Sequence, residues 1–77
     1  MIRYAVVIEK ATHNYSAYFP DVPGCVATGA SLDEVRRNLQ AALRLHLDGM
    51  AEDGDPPPES TSLVEYLEVP EPVGSKP

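Results

Sequence analysis

Tryptophan is absent from this 77-residue chain and cysteine occurs once. The lone Cys25 excludes an internal disulfide and a thiolate metal site, and it reads as a small packed residue rather than a nucleophile. Basic residues are scarce: six Lys and Arg stand against twelve Asp and Glu, giving a formal net charge of −6. Phosphate binding draws on clustered cations, and only Arg36 and Arg37 are adjacent, so no direct nucleic-acid binding is expected. The acidic balance favours a basic partner, though it also serves solubility alone. No apolar run approaches a membrane span or the core of a signal peptide, so no membrane contact and a cytoplasmic location are expected. There is no glycine-rich phosphate loop and no pair of histidines at ligand spacing. No cofactor and no metal is therefore expected.

The dominant feature that is present runs from Ser31 to Asp53 and predicts one long amphipathic helix. Ser31 and Glu34 form a Ser-x-x-Glu capping box, and Asp33 and Glu34 complement the positive end of the helix dipole. Leu32, Val35, Leu39, Ala42, Leu43, His46, Leu47 and Met50 recur at helical spacing on one broad face. Gly54 supplies a left-handed stop, and Pro56, Pro57 and Pro58 forbid continuation. His46, on the apolar face, reads as a packed, hydrogen-bonded imidazole before it reads as a ligand or base.

Before the helix the pattern is that of strands. Ile2 to Lys10 predicts β1, with Ile2, Tyr4, Val6 and Ile8 on one face and Arg3, Ala5, Val7 and Glu9 on the other. Both faces are partly apolar, which suggests a strand that is central or covered on both sides. A short turn, Ala11 to Asn14, leads into an antiparallel β2 over Tyr15 to Phe19, closed by Pro20. Asp21-Val22-Pro23-Gly24 is a turn, Cys25 to Thr28 a short β3, and Leu63 to Val69 a returning β4 after a proline-rich loop. The expected fold is α+β, in the order β-β-β-α-β, with an antiparallel-rich sheet and one helix on one face. Residues 1–69 make a single domain, and residues 70–77 a flexible tail. A core this small, with one sheet face uncovered, predicts a homodimer or higher oligomer. Val7, Leu45 and Leu47 are the candidate contacts.

The string Tyr18-Phe19-Pro20-Asp21-Val22-Pro23-Gly24, then Thr28-Gly29, then a capped helix bearing Glu34 and Asn38, resembles the HicB-like antitoxin family of type II toxin–antitoxin systems. The resemblance covers residues 2 to 69. It implies a partial RNase H-like fold without catalytic residues, which binds and blocks a small basic, mRNA-cleaving HicA-type toxin. Many family members carry a further C-terminal DNA-binding domain. This chain ends about eight residues after the expected β4, so operator binding through such a domain is not expected of it.

Occlusion of a basic RNA-binding surface points to acidic and aromatic residues. Glu9 at the end of β1, Asp21 in the turn, and Asp48 and Glu52 late in the helix are the candidate acidic contacts, with Tyr18 and Phe19 as apolar anchors. Asp48 and Glu52 oppose the helix dipole. The structural alternative for Asp21 is to cap its own turn, and for Asn38 to bond a neighbouring backbone. A vestigial RNase H-like enzyme would gather Glu9, Asp21 and Glu34 round metal ions, yet Glu34 already has a role in the capping box. A Cys25–His46 dyad would lack a third group to orient the imidazole. A stand-alone regulatory or structural oligomer with no toxin is the remaining alternative.

Overall fold

Residues 1–74 are described by the computed structural model. Its elements are β1 (Val7–Lys10), β2 (Tyr15–Tyr18), β3 (Val26–Gly29) and α1 (Leu32–Glu52). The strands form one antiparallel sheet in the order β1-β2-β3. The α+β class and the first four elements, β-β-β-α, are thus those the hydrophobic patterning predicts. β1, however, lies at an edge, and the central strand is β2.

Two short connections set the register. Ala11 N–H donates to Asn14 O at 2.8 Å, which brings Val7 opposite Tyr18 and Ile8 opposite Ala17. On the other side, Val22 N–H donates to Phe19 O and Cys25 N–H to Val22 O, both at 3.2 Å, while Gly24 takes φ +85°. That reversal places Tyr18 opposite Val26 and Ala17 opposite Ala27. The period of two then sends Ile8, Ala17 and Ala27 to one face and Val7, Tyr18 and Val26 to the other.

β1 is shorter than its apolar pattern. Extending the register would set Ala5 opposite Pro20, which has no N–H to give, and the chain turns away there. Residues 2–6 therefore stay outside the ladder. A further correction concerns Leu63 to Val69. Among the described residues no fourth strand forms: no backbone hydrogen bond ties this segment to another of them. Its side chains have strand character, but none of the three strands pairs with it. Of the expected tail, residues 70–74 are exposed, and residues 75–77 lie outside the described residues.

The helix is delimited as its capping chemistry dictates. Ser31 is extended, at φ −139° and ψ 167°, and its Oγ accepts the Glu34 N–H at 3.1 Å. Glu34 Oε1 in turn accepts the Ala30 N–H at 2.7 Å, one residue before the position the simplest capping box would use. At the far end Gly54 takes φ +79° and donates to Ala51 O, while Asp55 N–H donates to Met50 O. These are the two bonds of a Schellman motif, in which a glycine is favoured at the left-handed position.

The core lies between α1 and the sheet. Ala17, Phe19, Val22, Cys25, Val35 and Leu39 are buried, with Tyr4, Val6, Ile8, Tyr15, Ala27, Ala42 and Leu43 packed round them. The helix sits over β3 and β2 and does not reach β1. Its first turn rests on Gly29 so closely that a Cβ there would fall 2.5 Å from Val35 N and 2.8 Å from Val35 Cα. Asn38 fastens the same junction, its Nδ2 donating to Thr28 O at 2.8 Å. The structural alternative for Asn38 is therefore the one observed.

Candidate functional site

The turn between β2 and β3 is the chemical centre of the molecule. Val22 is fully buried and anchors the turn in the core, which directs Asp21 outward. The Asp21 carboxylate then accepts four hydrogen bonds from the chain beyond the helix. Oδ2 receives the N–H groups of Thr61 and Ser62, each at 2.8 Å, and Oδ1 receives the hydroxyls of Ser62 at 2.7 Å and Thr61 at 3.3 Å. The Ser62 hydroxyl and then the Ser62 N–H hold its pKa below the ordinary value of 3.8; partial burial opposes them and Thr61 adds to them. A second fastening lies close by, where the Tyr4 hydroxyl donates to Pro58 O at 2.7 Å. Tyr4 also packs edge-to-face on Phe19, with ring centroids 6.0 Å apart. Together these bonds lash residues 58–62 to the body of the fold.

The expected contact residues are placed as follows. Tyr18 is exposed on the sheet face away from the helix, between Val7 and Val26, and Glu9 is exposed further along that face. Phe19, one residue on, points the opposite way and packs into the core. Asp48 and Glu52 are exposed late on α1, and Asp48 accepts an ion pair from Arg44 Nε at 3.4 Å. With both partners well exposed this pair contributes little. The structure thus brings Glu9 and Tyr18 together on one sheet face and sets Asp48 and Glu52 apart on the helix. Leu45 is exposed, while Val7 and Leu47 are half-buried.

Reactive chemistry is sparse. Among the described residues no three His, Cys, Asp or Glu side chains gather at metal-binding distance. Glu34 is committed to the helix cap and Asp21 to Thr61 and Ser62. Burial pushes the Cys25 thiol up from its ordinary value, away from the thiolate. What the residue patterns did not disclose is that Asp21 has partners forty residues away. Only the Thr61-Ser62 pair, two hydroxyls after a proline run, hints at an acceptor elsewhere.

No helix among the described residues is long and apolar enough to cross a membrane. No solved structure matches the chain significantly. Among curated proteins it is 38% identical over 68 residues to an uncharacterized 14.9 kDa protein from the rep-hol intergenic region of Haemophilus phage HP1, covering 88% of this chain and 51% of that one. It is 40% identical over 47 residues to a UPF0150 protein of Helicobacter pylori, covering 61% of this chain and 65% of the relative. A UPF0150 protein of Synechocystis is 27% identical over 67 residues, 86% of this chain and 85% of its own length. The chain spans about half the length of the phage relative and under two thirds of the Helicobacter one. A model of the HicB-like antitoxin of bacterial toxin–antitoxin systems matches residues 4–75, nearly the whole sequence, and the chain belongs to that family.

Proposed function

We propose that this chain is an antitoxin-like binding module that sequesters a small basic, HicA-type mRNA-cleaving toxin in the cytoplasm and covers its RNA-binding surface. The observation that carries this reading is the row of half-buried Val7 and exposed Tyr18 and Val26, flanked by Glu9, on a sheet face that no helix covers. An aromatic flanked by apolar residues supplies the anchor of an interface, and a carboxylate beside it opposes the cations that a ribonuclease presents to phosphate. Phe19 acts from beneath as the core support of Tyr18, and Asp21 through the segment it holds. Asp48 and Glu52 extend the acidic surface along the helix. Inhibition is by competition with RNA, without catalysis and without direct nucleic-acid binding by this chain.

The test mixes the chain with a HicA-type mRNA-cleaving protein and measures RNA cleavage. Equimolar chain should abolish cleavage, Tyr18→Lys should restore it, and raising salt should slow association more than it speeds dissociation. Undiminished cleavage at equimolar ratio refutes the reading. A second reading, a self-associating regulatory protein without a toxin, is favoured by the exposed apolar segment after Ser62. In both readings the chain self-associates, with residues 1–69 as the folded unit and Val7, Leu45 and Leu47 as candidate contacts.

A further inference from the structure

The largest uncovered apolar feature of the molecule follows the Asp21 clamp. Leu63, Tyr66, Leu67 and Val69 are between 82% and 96% exposed. The sequence Leu63-Val64-Glu65-Tyr66-Leu67-Glu68-Val69 is rich in strand formers and carries apolar side chains on both sides of its alternation. That is the pattern of a strand covered on both faces. Yet none of its backbone groups is bonded to another described residue. The consequence is visible in the overall dimensions. The chain has a radius of gyration of 16.3 Å and a longest extent of 57 Å, whereas a compact 77-residue domain has about 11–12 Å.

β1 presents the complementary deficiency. It is an edge strand bonded only to β2, and α1 does not reach it. Along its inner face runs an open groove of about 270 Å³, lined by Tyr4, Val6 and Ile8 from the strand side and Leu39 and Leu43 from the helix. An open edge beside an apolar groove is a template for an added strand.

We infer that residues 63–69 of one chain add as a strand to the free edge of β1 in a second copy, and that the two copies exchange these segments reciprocally. The occupant is a second copy because beyond Val64 the segment projects from the body of its own chain, with Tyr66, Leu67 and Val69 almost wholly exposed and a longest extent of 57 Å. Asp21 holds Thr61 and Ser62, Tyr4 holds Pro58, and Pro56 to Pro58 stiffen the approach. The dimensions agree: seven extended residues span about 23 Å, the reach of β1 with the residues before it. Exchange would cover four large apolar side chains per chain, Leu63, Tyr66, Leu67 and Val69, toward the roughly 800 Å² per partner of a standard interface. Charge agrees as well, since Glu65 and Glu68 would lie along a strand flanked by Arg3 and Lys10. Reciprocal exchange closes a two-fold dimer and leaves no segment unpaired.

This inference deepens the self-association proposed above, and it is independent of any toxin. The experiment measures, on the full chain, the mass by light scattering at micromolar concentration and the amide exchange of residues 63–69. A dimer with slowed exchange across 63–69 is expected. The Leu67→Asp, Val69→Asp double variant should be a monomer with those amides exchanging freely and an unchanged helix signal, because both side chains are exposed in the single chain. A wild-type dimer with unprotected 63–69 amides overturns strand exchange and leaves self-association standing. A wild-type monomer overturns both, and if its 63–69 amides are protected the segment pairs within its own chain. A variant that remains dimeric also overturns the exchange.

Discussion

Replacing Gly29 by alanine tests the junction on which the fold depends. The added Cβ would lie 2.5 Å from Val35 N, 2.8 Å from Val35 Cα and 3.0 Å from Glu34 C. All three are backbone atoms of the first helical turn, so no side chain can swing aside. The helix must lift from β3, which stretches the Asn38–Thr28 bond and loosens Val35, a fully buried residue. Overpacking of this kind costs about 1–3 kcal/mol, and contact with rigid backbone places Gly29→Ala at the upper end. The reduced freedom of the unfolded chain returns about 0.4–1 kcal/mol. The net loss is about 2 kcal/mol, a large share of the roughly 4–12 kcal/mol available to a chain of this length. At about 4–8 °C per kcal/mol, the midpoint of thermal unfolding should fall by roughly 10–15 °C, read from the helical circular dichroism at one fixed protein concentration. Gly49→Ala is the control of opposite sign. It lies inside the helix with nothing within 4 Å of its added Cβ, so it should raise stability by about 0.5–1 kcal/mol. A Gly29→Ala midpoint within a couple of degrees of wild type, judged against that scale, would refute the close seating of the helix on β3.

Three further outcomes follow from individual bonds. Asn38→Ala removes the side-chain donor to Thr28 O; since the site is exposed and water replaces it, the loss in denaturant unfolding should be about 0.5–1 kcal/mol, and no loss would show the bond to be idle. Asp21 has its folded pKa below 3.8, so its clamp is fully present above that value and is lost as pH falls through the lower folded value. Thr61 and Ser62 amides should accordingly stay protected through mild acid and open only below the ordinary carboxylate range, and Asp21→Asn should remove that pH dependence; opening above it contradicts the four-bond geometry. Cys25, buried and with its thiol pushed up, should react with a thiol reagent only as fast as the core opens, so its labelling rate should rise with denaturant in step with unfolding.

The helix and its ends were legible because their determinants are local. Ser31, Glu34 and Gly54 act on backbone groups within a few residues, and each takes the part its type suggests. The β2 and β3 spans were legible for the same reason, bounded by Pro20 and by the turn that Gly24 permits. What escaped is what depends on distant partners. The patterning of β1 shows two half-apolar faces, but not that Pro20 truncates its ladder or that the helix stops short of it. Asp21 reads locally as the opener of a turn, yet its oxygens go to Thr61 and Ser62, whose own sequence carries no acceptor preference. Of the surface candidates, alternation alone separates Tyr18 from Phe19, sending one outward and the other into the core. Leu63 to Val69 is the sharpest case. Strand character resides in its side chains, but a strand exists only when a second edge accepts its backbone bonds. That requirement is satisfied between elements, and in this molecule the segment with unmet backbone groups and the edge with an open groove are both present and apart.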